Sequence, residues 1–245
     1  YFHSSTGVTE TTCYVPFKFA GLPGVAIADF RAMSQSTFWN GQPQHDNIAG
    51  HSFLSYFNGA DWQFLTYRGT NYSSTGPNWM DITFDYLSSD GKIKAEIRTF
   101  ELPQKDELRN FVNVRYTALE PLKIENAREN FRLMTAATWV QRLRYTHFKA
   151  SGHVAQKLSY DSDSFPVRGV PLRSEASYAA VYGEEKGSNA FVLRNWQADV
   201  NPAASVWCGR KGDSRLLLVP DSDTIDLQAG ESIEFNAIIL PYGEV

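Results

Sequence analysis

Glu129 to Phe148, ENFRLMTAATWVQRLRYTHF, puts strand-forming residues and polar side chains suited to a site into one run. A β-strand turns successive side chains to opposite faces. Along the second half, Trp139, Gln141, Leu143, Tyr145 and His147 therefore share one face, and Val140, Arg142, Arg144, Thr146 and Phe148 the other. One face carries Tyr and His together, the other two Arg.

The segments upstream repeat the strand pattern. Thr12 to Ala20 and Gly24 to Met33 read as strands, the second with an Ala/Phe face formed by Ala26, Ala28, Phe30 and Ala32. Ser34 to Gly50 is polar, holds two Gly and a Pro, and reads as a long loop carrying Trp39, His45 and Asp46. These could bind a sugar ring by stacking and hydrogen bonding; equally, Trp39 could plug a sandwich edge while His45 and Asp46 cap a turn. His51 to Asn58 and Asp61 to Arg68 form a hairpin of two aromatic-rich runs joined at Asn58-Gly59. Gly69 to Asn78 reads as a second polar loop, with Tyr72 inside the glycosylation acceptor triplet Asn71-Tyr72-Ser73.

Asn78 to Leu87, Lys92 to Phe100 and Leu108 to Leu119 follow as three meander strands. In the third, Val112, Val114, Tyr116 and Ala118 alternate with Phe111, Asn113, Arg115 and Thr117, the pattern of a half-buried antiparallel strand. Helix is confined to a turn or two at Glu125 to Leu133 and at Gln104 to Phe111, each too short to stand alone. Beyond Phe148 come HVAQKL, SYAAVYG, AFVLRNW, ASVWCG and SRLLLVP, spaced by Gly, Ser, Asp and Asn breaks. The count reaches about fifteen strands, too many for one immunoglobulin-type sandwich of ~7 to 9. With no linker, composition break or repeat, residues 1–245 read as a single all-β domain, a large antiparallel two-sheet β-sandwich.

Composition narrows the partners. The 245 residues carry a net charge of -4 and no sustained Lys/Arg cluster, which argues against nucleic acid. The 14% aromatic content, with six Trp and twelve Tyr, suits strands and also sugar- or peptide-binding surfaces. No run approaches the ~20 apolar residues of a membrane helix, and YFHSSTGVTE lacks the pattern of a signal peptide, so a soluble or a mature, trimmed protein is expected. Cys13 and Cys208 read either as two separate buried thiols or, should they prove adjacent, as a disulfide. Neither they nor His45 and His51 have a zinc spacing, and Asp161-Ser162-Asp163 and Asp221-Ser222-Asp223 lack the rest of a calcium loop, so no metal and no cofactor is expected.

The closing run LQAGESIEFNAIILPYGE, Leu227 to Glu244, alternates Ile233, Phe235, Ala237 and Ile239 against Ser232, Glu234, Asn236 and Ile238. With the long antiparallel strands before it, it resembles the galactose-mutarotase-like super-sandwich of bacterial carbohydrate-processing proteins. That resemblance spans most of the chain as an architecture and implies a glycan ligand; it carries no catalytic residue with it.

Three function classes stay open. The first is a secreted or cell-surface carbohydrate-interacting sandwich, with Trp39, His45, Asp46 and Tyr72 contacting the glycan. The second is a polysaccharide lyase or glycoside hydrolase. Here Tyr145, His147 and Arg142 would abstract a proton beside a uronic-acid carboxylate and stabilise the anion, or paired carboxylates would hydrolyse the bond. The structural alternative for Tyr145 and His147 is an aromatic packing position beside a surface His. The third class is an assembly protein such as a capsid-type jelly roll, its aromatics buried between subunits. Phosphate loops, GxSxG and HExxH are absent from the sequence. Oligomeric state is left open.

Overall fold

The computed structural model describes residues 2–3, 11–13, 17–18, 25–31, 38–39, 42–43, 48–76, 79–104, 107–139, 145–150, 156–159, 167–172, 178–183, 187–198, 204–210 and 213–242; side-chain environments are described within 53–74, 81–100, 111–134, 178–180 and 217–238. In chain order the first strands are β1 (Phe2–His3), β2 (Thr11–Cys13), β3 (Phe17–Lys18), β4 (Val25–Arg31), β5 (Phe38–Trp39) and β6 (Gln42–Pro43). Five long strands follow, β7 (Ile48–Phe57), β8 (Trp62–Gly76), β9 (Trp79–Ser88), β10 (Ile93–Gln104) and β11 (Glu107–Ala118). Then come β12 (Leu122–Glu125), the one-turn helix α1 (Ala127–Asn130), β13 (Phe131–Trp139), β14 (Tyr145–Ala150) and β15 (Gln156–Ser159). The chain continues with β16 (Val167–Leu172), β17 (Tyr178–Gly183), β18 (Gly187–Ala198) and β19 (Ala204–Arg210). It ends with β20 (Asp213–Pro220), β21 (Thr224–Leu227) and β22 (Ser232–Tyr242).

The pairings are antiparallel and resolve into two large sheets. The first runs β1-β2-β4-β7-β13-β20-β19-β16, with β3 beside β2 on β4. The second runs β8-β9-β10-β11-β22-β18-β17-β14-β15. β8 joins them: Trp62 to Phe64 pair with β7, and Leu65 onward pairs with β9. The expected all-β two-sheet architecture is what the chain forms, with 22 strand segments among the described residues where about fifteen were expected.

Alternation accounts for the core. On β10 the residues Ile93, Ala95, Ile97 and Thr99 are buried; on β11, Val112, Val114, Tyr116 and Ala118; on β22, Ile233, Phe235 and Ala237. From the first sheet Phe53, Leu54, Tyr56, Leu133, Met134 and Leu218 join the same cluster, and the β12–β21 ribbon adds Leu122, Ile124, Ile225 and Leu227. Two tyrosines fasten the layers. The buried hydroxyl of Tyr116 donates to the Leu133 carbonyl at 2.7 Å and accepts from the Leu54 amide at 3.1 Å. The Tyr56 ring stacks on Phe131 at 5.8 Å, and its hydroxyl donates to Asp90 at 2.6 Å in the β9–β10 turn. Burial alone would raise the Asp90 carboxyl, yet hydrogen bonds from Tyr56, Ser88, the Lys92 amide and Asn58 hold it below its ordinary 3.8.

The turns follow their residues. Asn58 accepts the amides of Ala60 and Asp61 with its side chain, which closes the β7–β8 hairpin. Gly230, at a φ of 91, takes the left-handed position of the Gln228–Glu231 turn and donates its amide to the Ala118 carbonyl at 2.8 Å.

Several expectations are corrected. Glu129 to Phe148 feeds both sheets: β13 lies between β7 and β20 in the first, and β14 between β15 and β17 in the second. Each half keeps strand alternation by itself, so the pattern does not tell which sheet either half joins. Gly69 to Gly76 belongs to β8, with bulges between Tyr67 and Gly69 and between Thr70 and Tyr72. Its polarity is that of an outermost strand, where Ser, Thr and Asn face water and bulges break the flat edge. Within Ser34 to Gly50, β5 pairs with β6, and β7 already begins at Ile48. Glu107 onward is strand, paired with β10 from Gln104, where a helical turn was expected. Asp221-Ser222-Asp223, by contrast, is the polar turn that its residues suggest, with Arg128 at 3.2 Å from both Asp221 and Asp223. Cys13 lies on β2 and Cys208 on β19, with β4, β7, β13 and β20 between them. At about 4.8 Å per strand this is roughly 24 Å of sheet, beyond the reach of a disulfide.

Candidate functional site

On the second sheet, the residues that alternate with the core face outward, and their cross-strand register sets them in rows. One row passes from Tyr72 on β8 through Thr83, Arg98 and Asn113 to Asn236. The neighbouring row passes through Asp81, Phe100, Phe111 and Ile238 to the register positions of Val192 and Tyr178. Between them lies a pocket of about 360 Å³ lined by Arg98, Phe100, Phe111, Asn113, Asn236 and Ile238. That volume falls within the ~300 to 1,000 Å³ of small-ligand clefts.

The polar and aromatic lining groups are each fixed by a neighbour. Arg98 and Asp81 sit diagonally on adjacent strands and form a two-pronged pair, Nε to Oδ1 at 2.8 Å and Nη2 to Oδ2 at 2.6 Å. Asp81 is largely buried and Arg98 half exposed, so the fork anchors the guanidinium at the pocket rim. Hydrogen bonding to Asp81 and its charge raise the already high Arg98 pKa, burial opposes this slightly, and Tyr72 is near enough to add to the rise. Phe100 and Phe111 are register partners with ring centroids 6.2 Å apart and planes inclined at 47°. The Asn113 Nδ2 donates to Asn236 Oδ1 at 2.7 Å, leaving one amide oxygen and one NH₂ group as acceptor and donors toward solvent.

The row on the other side of Arg98, formed by Asp85, Glu96, Arg115 and Glu234, is charged and paired: Arg115 with Glu234 at 3.1 Å, and Lys94 of the next row with Glu96 at 3.4 Å and Asp85 at 3.8 Å. The pocket thus offers two inclined apolar rings, a paired amide donor and acceptor, and a guanidinium already neutralised by its partner. Among the described residues no three His, Cys, Asp or Glu side chains gather as metal ligands would. The arrangement can bind and orient a neutral polar molecule, and the residues lining it include no histidine or carboxylate to move a proton.

The residues singled out from the sequence scatter. Tyr72 is exposed on β8 and reaches the pocket row through Thr83. Trp39 lies on β5 opposite Gln42. Tyr145 and His147 share β14, with Ser159 and Lys157 as their register partners on β15 and Tyr182 opposite His147 on β17. Arg142, His45 and Asp46 lie outside the described residues. Six strands, β9, β10, β11, β22, β18 and β17, separate Tyr72 from Tyr145 and His147. Sequence reading passed over Arg98, Phe100, Phe111, Asn113 and Asn236. The available signal was Phe100 and Phe111 standing on the polar parity of half-buried strands.

No protein-family model matches the chain, and no curated protein matches it in sequence. Among solved structures it is similar to a galactose mutarotase-like protein from Lactobacillus casei ATCC 334, at 12% identity and a TM-score of 0.44, over 88% of this chain and 90% of that one. It is similar to a galactose mutarotase related enzyme from Lactobacillus acidophilus at 10% identity and a TM-score of 0.42, over 80% and 83%. It is also similar to the GH36 alpha-galactosidase AgaA from Geobacillus stearothermophilus at 11% identity and a TM-score of 0.48, spanning 82% of this chain and 33% of that enzyme. The likeness is one of overall strand architecture.

Proposed function

We propose that this chain is a carbohydrate-binding β-sandwich whose outward face on the second sheet receives a neutral sugar. The observation that carries this reading is the Asn113–Asn236 amide pair set beside the Phe100 and Phe111 rings in one pocket. A pyranose presents C–H groups on one face and hydroxyls around its edge. Apolar ring surface meets the first, and an adjacent acceptor and donor meet a pair of hydroxyls. Arg98 supports a neutral ligand over a uronate, because its charge is already met by the Asp81 carboxylate.

The test is a glycan array followed by calorimetry with wild type and Asn113→Ala. The expected outcome is selective binding of neutral glycans, with affinity falling about three- to tenfold in the variant, the value of one or two hydrogen bonds. Absence of any glycan binding, or equal affinity in both proteins, would sink the reading.

A further inference from the structure

The outward rows do not stop at the pocket. Thr83 pairs with Tyr72, the most exposed described aromatic, at 49% accessibility, on the outermost strand of this sheet. In the other direction Ile238 pairs with Val192, and Val192 with the partly exposed Tyr178 on β17. From β8 to β17 is six strand steps, about 29 Å along the sheet at about 4.8 Å per step. A single sugar ring occupies only the pocket and leaves both tyrosines without a role. The described charges along the path are paired: Arg98 by Asp81, and Arg115 by Glu234 in the adjoining row.

Resting on the reading of the pocket as a sugar site, we infer that the ligand is a neutral glycan chain several residues long, laid across the strands from Tyr72 toward Tyr178, with the pocket holding one central residue. Tyr72 is then a platform for a distal sugar. Its ring stands free on a strand edge, so it contributes contact area without being needed by the core.

The experiment uses the full chain with linear glucan, mannan, galactan and xylan ladders of about one to six residues, measured by calorimetry. For the ladder that binds, affinity should rise at least about tenfold between the monosaccharide and the longest member. Tyr72→Ala should cost about three- to tenfold on the long members and nothing on the one- and two-residue members, with an unchanged melting temperature. An affinity that is level from the monosaccharide upward, or a Tyr72→Ala loss equal at every length, would overturn the chain-length inference while leaving the sugar pocket standing. Failure of every ladder member, monosaccharides included, would overturn both.

Discussion

Phe235 and Phe111 stand on adjacent strands of one sheet and differ only in parity, yet they belong to two different materials. Phe235 is 1% exposed and meets the Tyr116 ring at 6.0 Å in an edge-to-face contact within the core. Phe111 is partly exposed and meets Phe100 across β10 and β11, beside polar Asn113. On the inward face the Tyr116 hydroxyl is held by two hydrogen bonds, while the buried Tyr86 hydroxyl makes none. On the outward face apolar rings appear beside polar groups that keep free valences. Stability explains the first arrangement; the second is the surface that the proposed sugar site would use.

The largest effect that sharpens this contrast is Phe235→Ala. Truncating a fully buried ring next to Tyr116 removes its transfer energy and leaves a cavity, a loss of about 3 to 5 kcal/mol. Urea unfolding should show the midpoint falling at constant slope. A loss below about 1 kcal/mol would mean that the two faces are not distinguished by packing.

The next effect is a pH dependence confined to the inward side. Burial, the leading cause in each case, raises the phenols of Tyr56, Tyr86 and Tyr116 above their ordinary 10.0. A folded-state pKa raised above the unfolded one contributes stability that is complete below pH about 10 and is lost as pH rises beyond it. Unfolding free energy should therefore fall steeply between pH about 10 and about 12, and the fall should be shallower in Tyr116→Phe, which removes one of the three titrating groups. A stability that stays level across that range would contradict the burial of these hydroxyls.

The sequence made the inward face legible and the outward one hard to see, for a physical reason. Burial acts on every second residue, so Val112, Val114, Tyr116 and Ala118, and Ile233, Phe235 and Ala237, announce their strands and core face directly. The second sheet's pairing partners cannot be read the same way, because β11 meets β22 across more than a hundred residues of chain. Asn113 and Asn236 look like ordinary polar positions until register sets them side by side. In sequence Tyr72 reads as a loop aromatic, because Gly69, Asn71, Ser73 and Gly76 carry the composition of a turn; on an edge strand that composition is compatible with pairing on one side only. The division of Glu129 to Phe148 between two sheets was equally hidden, since each half satisfies strand alternation by itself.

The smallest effect on stability, and the one that tests the contrast most directly, is Phe111→Ala. The ring is partly exposed, and its main aromatic contact is Phe100 on the neighbouring strand, a cross-strand pair whose loss costs about 0.2 to 1 kcal/mol. The same chemical change that costs several kcal/mol at Phe235 should therefore move the urea midpoint only slightly here. Binding should respond in the opposite order: Phe111→Ala should weaken neutral-glycan affinity by about two- to tenfold, the scale of an aromatic contact worth about 0.5 to 1.5 kcal/mol. Calorimetry and urea unfolding on the two variants give a crossed result if the faces divide the work in this way. Should Phe111→Ala prove as destabilising as Phe235→Ala while leaving glycan affinity unchanged, the outward rings are packing for a covering element, and the pocket between them is not where a sugar sits.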